Sequence, residues 1–484
     1  MGEVRGYKGG ALTARILKTM SIFGSIQMLT IICSVVRTKL VAIWIGTEGV
    51  GIMSLLSSTM DLIGNITRLN TRQSSVRLIS SSADPRVPCR AINRLSLILG
   101  LAGMILVAAM SPLLSRWAFG TTAHAWMFAV LAPTLVFSAR SSARGAILQG
   151  LGNLRPLARV ALWSAVVSTS ISIPLFYFFR LHAIVPVLVI FPLVEVLMFY
   201  AQPAGVPPGR PGSCGDAMKQ MVKLGVWLTA AMATTLGAEY GLRIFLSDAA
   251  GVDSVGRYQA GFAIINTYVG VIFTSITLEY FPRLAATVFR RRITRVVVSH
   301  QITVVTWVLL PLMIIIVSLD RLALQILYSP DFMEALPYIT IAAAGVIPRG
   351  ASWCFGYMIV ARGDGRTYIF TELTSALVML GGSIVLWNNY GYAGLGAAYV
   401  LQFVIYATVT WGVCRFRYGL RVPAPVMTLL ILSTLTVALA VVLKHYAWWL
   451  PLLLLAVALP LSVKQLKLVS AIRSRRRRAA AGQK

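Results

Sequence analysis

Long apolar stretches separated by short polar loops run through almost the whole chain. A helix that crosses a membrane needs about 20 mostly apolar residues. On that basis the pattern predicts fourteen helices, at residues 19–43, 49–67, 92–114, 124–144, 157–179, 183–201, 221–246, 257–281, 297–318, 335–360, 368–388, 393–414, 424–443 and 447–463. The last two are separated by so few residues that they form either a hairpin or a pair of shallow helices.

The polar loops alternate between strongly basic and nearly free of basic residues. Lysine and arginine gather in every second loop and in the C-terminal tail, whereas the intervening loops carry only Arg116, Arg180, Arg257, Arg321 and Lys444. Cytoplasmic loops of membrane proteins carry the excess of basic residues. The pattern therefore predicts a cytoplasmic-membrane protein with many spans and with both termini in the cytoplasm.

Composition agrees with lipid as the surroundings of most side chains, since 57% of the 484 residues are hydrophobic and only 12% are charged. The chain has 44 Lys and Arg against 15 Asp and Glu. In a soluble protein that excess would suggest nucleic-acid binding. Here the basic residues lie in short loops between apolar stretches, so topology explains them and nucleic acid is not expected as a partner.

The two halves of the chain resemble each other. Gly49-Val-Gly-Ile-Met-Ser matches Ser254-Val-Gly-Arg-Tyr-Gln about 205 residues later, and Gly150-Leu-Gly-Asn-Leu-Arg155 matches Arg362-Gly-Asp-Gly-Arg366 about 211 residues later. Each half contains six predicted spans, and an even number makes the repeat parallel. Such repeats are related by a pseudo-twofold axis along the membrane normal, with a substrate path expected at the seam between the halves.

The expected fold class is an all-α integral membrane protein with two pseudo-twofold-related six-helix bundles, two extra C-terminal helices and about 12–14 transmembrane spans. The expected division is an N-terminal six-helix lobe at 1–202, a cytoplasmic linker at 203–218 and a C-terminal six-helix lobe at 219–415. An extra helical hairpin at 416–463 and a basic cytoplasmic tail at 464–484 follow.

A few charged residues fall at membrane depth, where they are costly and usually face a cavity or a partner. Four of them are repeat-related arginines, two in each half: Arg37, Arg140, Arg243 and Arg349. If all four project into the seam, the cavity is cationic and selects an anionic substrate. The planar guanidinium suits phosphate in particular.

Each of these charges also has a local explanation. Glu239 and Arg243 are four residues apart on one helix face and neutralise each other as readily as they bind a ligand. Arg37 also fits a side chain that snorkels to the outer interface. Arg140 alternatively belongs to the cytoplasmic rim with Arg144.

Three further positions remain open in the same way. Pro348, directly before Arg349, predicts a helix kink. The alternative to a functional role is that this kink is only a steric effect of the proline. Asp61 is as consistent with helix packing as with a transport path. Glu195 has no partner in its own helix and is a weak proton or cation site. Asp61, Glu195 and Glu239 are therefore ion-coupling or packing residues.

Signatures of catalysis are missing. The chain contains no Walker A motif, and its four histidines are isolated near helix ends. Its five cysteines have no paired spacing, so neither a metal site nor a disulfide framework is indicated. The sequence predicts a protein that is not an enzyme and that has no cofactor.

The N-terminal part of the chain closely resembles bacterial O-antigen and polysaccharide flippases of the multidrug/oligosaccharidyl-lipid/polysaccharide exporter superfamily. The resemblance lies in Ile16-Leu-Lys-Thr-Met-Ser-Ile-Phe-Gly-Ser-Ile-Gln, Val36-Arg-Thr-Lys-Leu-Val-Ala and Gly46-Thr-Glu-Gly-Val-Gly-Ile. Related lipid II flippases have fourteen spans and an arginine late in the first helix that lines a cationic cavity, and Arg37 is at the matching place.

The resemblance implies translocation of an undecaprenyl-pyrophosphate-linked oligosaccharide from the cytoplasmic to the periplasmic leaflet by alternating access. It implies lipid and a polysaccharide polymerase complex as partners. One alternative is a cation-coupled multidrug exporter of the same superfamily, which should have an acidic cavity. A membrane-embedded polysaccharide polymerase or ligase is less consistent with the sequence, because no outer loop is long enough for a catalytic domain.

Overall fold

The computed structural model describes residues 9–82, 84–203 and 214–481. Helices make up nearly all of these ranges, which contain no strand. The helices are α1 (Gly9–Arg68), α2 (Thr71–Ser81), α3 (Arg86–Phe119), α4 (Ala125–Leu131), α5 (Pro133–Gly150), α6 (Leu154–Phe179), α7 (Ile184–Tyr200), α8 (Gly215–Ala250), α9 (Val252–Phe262), α10 (Val269–Thr287), α11 (Arg291–Leu327), α12 (Leu336–Ala342), α13 (Val346–Ala361), α14 (Gly365–Gly412), α15 (Ala424–Tyr446) and α16 (Leu450–Ala481).

Each of the fourteen predicted helices is found among the described residues. α1 holds the first two, because Gly46 adopts a non-helical conformation (φ 65°, ψ −165°) that breaks it. α14 holds the eleventh and twelfth and is broken in the same way at Gly391 (φ 54°, ψ −131°). Close to that break, the backbone oxygen of Leu386 lies 2.0 Å from the position that a Cβ on Gly394 would take, so the turn is tight.

Seven helical stretches of the described chain are long and apolar enough to cross a membrane. Several are too long for a single crossing of about 20 residues. The longest, Gly365–Arg417, has 53 residues and contains the break at Gly391. Arg155–Tyr200 has 46 residues and contains a 3₁₀ turn at Arg180–Ala183. The expected fold class, an all-α membrane protein with many spans, is confirmed.

The internal repeat is visible in the backbone. At three helix junctions a residue with positive φ is matched, 205 or 211 positions later, by another with nearly the same φ. The pairs are Gly46 (65°) with Gly251 (80°), Gly152 (73°) with Gly363 (73°), and Arg180 (49°) with Gly391 (54°). Positive φ is rarely adopted by residues other than glycine. Its recurrence in register shows that the two halves turn the chain at equivalent places.

The chain divides into two compact units. The first contains Met1–Gly46 and Thr59–Val226, and the second contains Thr47–Ser58 and Trp227–Lys484. Most of the predicted cytoplasmic linker, residues 204–213, lies outside the described residues. The domain boundaries expected from the sequence stay a prediction.

The first unit contains α2, a short helix that the hydrophobic pattern does not predict. Its Ile79 is buried in a cluster with Cys89, Ile92 and Ile147. The turn before it uses Leu69 (φ 48°) and Asn70 (φ 41°), a left-handed pair that favours a change of direction. α2 is therefore held by packing rather than by its own hydrophobic periodicity.

In the second unit, the N-terminal part of the second predicted helix packs reciprocally against α9. A Cβ added to Gly51 would lie 2.1 Å from the backbone oxygen of Val252, and one added to Gly256 would lie 2.0 Å from that of Thr47. Residues 51 and 256, like 47 and 252, are 205 positions apart in the repeat. The glycine of each segment thus packs against the backbone carbonyl of the other segment, and both contacts use the same two positions of the repeat, as in an isologous contact.

We expect Gly256→Ala to destabilise the protein by about 1 to 3 kcal/mol, because its Cβ meets backbone that has no room to move. The measurement is thermal unfolding of the purified protein in detergent. Gly237→Ala is the matched control, since a Cβ at Gly237 on α8 meets nothing within 4 Å. A Gly256→Ala variant as stable as Gly237→Ala would contradict the close approach.

The two helices beyond the repeat, α15 and α16, pack against α11. α11 loses helical geometry at Leu319 (φ −114°, ψ 16°), and the next residue, Asp320, is fully buried. The Asp320 carboxylate accepts hydrogen bonds from the Lys444 ammonium of α15 and from the Thr340 hydroxyl of α12. A buried ion pair therefore ties the extra helices to the second bundle.

Candidate functional site

Arg243 lies at the centre of a polar network in the second unit. Its side chain is only 5% exposed. The guanidinium donates to Ser54 Oγ (3.1 Å), to Gln259 Oε1 (3.0 Å) and to the backbone oxygen of Glu239 (2.9 Å). Ser54 donates in turn to Gln259 (3.0 Å). The guanidinium therefore has its partners within the protein.

The Glu239 carboxylate lies 3.8 Å from Arg243, one helical turn away. This separation agrees with the interpretation in which the two charges neutralise each other on one helix face. Ser54 and Gln259 are 205 positions apart in the repeat, so the network sits beside the reciprocal glycines.

Arg349 of α13 occupies a different environment in the same unit. Its guanidinium carbon lies 5.2 Å from the centre of the Phe273 ring and 5.5 Å from that of Phe403, within range of cation–π attraction. One terminal nitrogen, Nη1, donates to Tyr399 Oη (3.1 Å) and to the backbone oxygen of Ile265 (3.4 Å). The rings and these bonds fix the guanidinium in place.

A partly open cavity of ≈140 Å³ lies within the second unit. Its charged lining residues are Glu239, Arg349 and Glu372. Four tyrosines also line it: Tyr258, Tyr338, Tyr399 and Tyr406. Glu372 of α14 accepts hydrogen bonds from the hydroxyls of Thr235 (2.8 Å) and Tyr406 (2.5 Å).

In the first unit, two arginines of α5 converge on one ring. The guanidinium carbons of Arg140 and Arg144 lie 5.4 Å and 4.4 Å from the centre of the Tyr200 ring. Arg140 also donates to the backbone oxygen of Asn93 (2.8 Å). The Nε of Arg144 is buried without a hydrogen-bond partner among the described residues. Arg140 and Arg144 therefore bring two positive charges to the same aromatic ring.

Two of the predicted site residues of the first unit are carboxylates, Glu195 and Asp61. Glu195 of α7 accepts a hydrogen bond from Ser141 Oγ (3.0 Å). Both Glu195 and Asp61 are within electrostatic range of Arg68, whose Nε also donates to the backbone oxygen of Gly64 (2.8 Å). Glu195 thus has partners on helices other than its own, which the spacing within its own helix does not reveal.

Arg37 is the repeat equivalent of Arg243 in the first half of the chain, but it has different surroundings. Its guanidinium carbon lies 4.4 Å from the centre of the Phe191 ring of α7, and its side chain is half-buried. Arg37 and Arg140 belong to the first unit, and Arg243 and Arg349 to the second. The four predicted arginines therefore have four distinct environments, of which that of Arg243 is the most enclosed by protein.

Sequence reasoning selected neither Arg144 nor Glu372 as a site residue. Arg144 carries a recognisable signal, since it follows Arg140 by one helical turn and projects from the same face. Glu372 is also a charge at membrane depth. The tyrosines give no such signal, because aromatic side chains in an apolar helix are ordinary core residues.

The chain resembles known proteins along most of its length. The sequence profile of the family described as polysaccharide biosynthesis protein matches residues 77–337. A curated relative, the lipid III flippase of Escherichia coli (strain K12), is 23% identical over 393 residues, which are 78% of this chain and 92% of that protein.

Several solved structures share the fold, among them those of two transporters. The lipid II flippase MurJ in an inward closed conformation gives a TM-score of 0.68 at 13% identity, covering 94% of this chain and 98% of that one. An inward-facing multidrug resistance MATE family transporter of the MOP superfamily gives 0.65 at 14% identity, covering 83% and 98%.

These likenesses confirm the resemblance drawn from the N-terminal motifs. The family profile spans more than half of the chain. The protein therefore belongs to the polysaccharide biosynthesis protein family and has the fold of MOP superfamily transporters.

Proposed function

We propose that the protein is a flippase of lipid-linked glycans, and that it moves an undecaprenyl-pyrophosphate-linked oligosaccharide from the cytoplasmic to the periplasmic leaflet by alternating access. The membership of the family supports this proposal, as does the name of the curated relative, a lipid III flippase. An O-antigen or exopolysaccharide repeat unit is the proposed glycan. A polysaccharide polymerase is the proposed partner, because it would use the translocated product.

The observation that carries the proposal is the pair of guanidiniums on Tyr200. Arg140 and Arg144 stand on successive turns of one helix, and Arg144 keeps a buried N–H without a partner. Two like charges held close together are stabilised by an anion between them. A pyrophosphate offers several oxygens to paired guanidiniums in bidentate geometry.

The four arginines of the proposed cationic set have different roles in this scheme. Arg140, with Arg144, contacts the pyrophosphate, and Arg37 and Arg349 are proposed substrate-binding residues, each within its own unit. Arg243 contributes its positive charge to the electrostatic potential and stabilises the fold, since its guanidinium donates hydrogen bonds to Ser54, Gln259 and Glu239. Among the residues proposed for ion coupling or packing, Glu239 fits packing through its contact with Arg243.

The proposed orientation, with both termini in the cytoplasm, comes from the positive-inside pattern. The basic residues at the end of the chain extend α16, which continues as a helix to Ala481.

The test is flipping of a fluorescent undecaprenyl-pyrophosphate oligosaccharide by the purified protein in vesicles. We expect Arg140→Ala/Arg144→Ala to lower the rate at least about tenfold, because charged hydrogen bonds to phosphate are lost. Lysine at both places should restore only part of the rate, since it lacks the bidentate fork. Arg155→Ala, an exposed arginine on α6, is the matched control. A double alanine variant that flips at the wild-type rate would overturn the assignment.

A cation-coupled multidrug exporter is the second candidate function. The observation that favours it is the pair of carboxylates, Glu239 and Glu372, in the cavity of the second unit, together with the MATE fold. Efflux of a cationic dye from cells, abolished by Glu372→Gln, would support the exporter. Flipping without efflux would support the flippase.

A further inference from the structure

The cavity of the second unit has the size of a single ring. Its volume is ≈140 Å³, and an engineered cavity of about 150 Å³ accepts benzene. The cavity is partly open, so substituents on a six-membered ring have room to project from it.

Aromatic rings that contact one another edge to face line this cavity. The Tyr258 and Tyr338 rings are 5.3 Å apart, Tyr338 and Tyr399 are 6.4 Å apart, and Tyr399 and Phe403 are 4.7 Å apart. All four residues line the cavity. The negative faces of aromatic rings attract the weakly positive C–H groups that one face of a sugar ring presents.

The formal charges at and beside the cavity sum to zero. Its lining contributes two carboxylates, Glu239 and Glu372, and one guanidinium, Arg349, and Glu239 is paired with Arg243 beside it. The Glu372 carboxylate accepts hydrogen bonds from the hydroxyls of Thr235 and Tyr406. Among the described residues no group of three or more His, Cys, Asp or Glu side chains is placed to hold a metal ion. A neutral polar ligand suits this balance better than a bare cation or an anion.

The cavity also holds a hydrogen-bond donor without a partner. Asn266 accepts a hydrogen bond from Tyr399 at Oδ1 (3.3 Å), whereas its buried Nδ2 has no partner among the described residues. A buried donor of this kind costs free energy until an acceptor arrives. Asn266 stands on the π-helical turn Ala263–Tyr268, a distortion that is frequent at functional sites.

Arg349, Asn266 and Glu372 together offer donors and acceptors at fixed positions beside an aromatic wall. Sugar hydroxyls both donate and accept, so they can satisfy amide, guanidinium and carboxylate groups at once. We propose that this cavity binds one neutral pyranose ring of the translocated glycan, at a site separate from the arginine pair on Tyr200. The proposal rests on the proposed function for the source of that sugar.

The experiment is calorimetric titration of the purified full-length protein with free glucose, galactose, mannose and N-acetylglucosamine, each used separately. We expect saturable binding of at least one sugar. Asn266→Ala should weaken it about five- to tenfold, because one hydrogen bond is lost. Asn266→Asp keeps the shape of the side chain, exchanges the donor for a charge, and should weaken binding at least as much. Asn389→Ala, an exposed asparagine on α14, is the matched control.

Competition identifies the source of the sugar. The complete lipid-linked oligosaccharide should displace the bound monosaccharide, and undecaprenyl pyrophosphate without sugar should not. Displacement by sodium ions, absence of saturable binding for all four sugars, or equal binding by the Asn266 variants would each overturn the proposal. The Arg140→Ala/Arg144→Ala protein separates the two proposals, because it should still bind the monosaccharide. Sugar binding by a wild-type protein that does not flip would leave the cavity assignment standing and remove the flippase.

Discussion

Arg243→Ala is expected to destabilise the folded protein by about 3 to 5 kcal/mol, the usual effect of breaking a buried charged network by removing one partner. Three groups lose their common hydrogen-bond donor: the backbone oxygen of Glu239, the Ser54 hydroxyl and the Gln259 side-chain oxygen. Thermal unfolding in detergent and the yield of folded protein in membranes measure the effect.

Two variants separate this structural role from a role in binding substrate. Arg243→Lys keeps the charge but not the three-way geometry, so we expect it to recover part of the stability. Arg349→Ala removes an arginine of the same cavity region whose described hydrogen bonds come from a single nitrogen, and should destabilise less. An Arg243→Ala protein as stable as wild type that nevertheless fails to flip would show that Arg243 contacts the substrate.

Lys444→Met is expected to destabilise the protein by a similar amount, about 3 to 5 kcal/mol, because it leaves the Asp320 carboxylate buried and uncompensated. Asp320 is fully buried, and Lys444 is its cationic partner. Asp320→Asn should cost less, about 1 to 2 kcal/mol. The Lys444 side chain is 16% exposed and can extend its ammonium toward the interface.

The double variant Asp320→Asn/Lys444→Met tests whether the charges or the individual side chains matter. With both charges gone, no buried charge is left without a partner, so we expect a stability closer to that of wild type than Lys444→Met shows. Thermal unfolding of the four proteins forms a double-mutant cycle. Additive losses would mean that Asp320 and Lys444 act independently.

The helices could be predicted from the sequence because lipid leaves the backbone few choices. Each spanning segment must satisfy its own hydrogen bonds, so apolar length alone identifies it. The breaks at Gly46 and Gly391 were predicted as loops between helices. α2 could not be predicted, since Thr71–Ser81 is mostly polar and its helix depends on burying Ile79 against distant residues.

The candidate site could be predicted only in part, for a related reason. The i,i+4 contact of Glu239 with Arg243 follows from helical spacing. The hydrogen bond of Arg243 with Ser54 joins residues 189 positions apart, and that of Ser141 with Glu195 joins residues 54 apart. Such partners are chosen by tertiary packing. Sequence spacing therefore identified charges at membrane depth but not which of them the protein already satisfies.

The reciprocal glycines bear on how the chain evolved. If the halves arose by duplication of a shorter ancestor that paired with a second copy of itself, one glycine codon of that ancestor encoded both close approaches. A mutation in that codon would have altered both contacts. After duplication, Gly51 and Gly256 were encoded separately, so each could mutate independently of the other. Each nevertheless still meets a backbone oxygen about 2 Å from where a Cβ would lie, so selection can act on either copy alone. A replacement at one glycine is not rescued by the other.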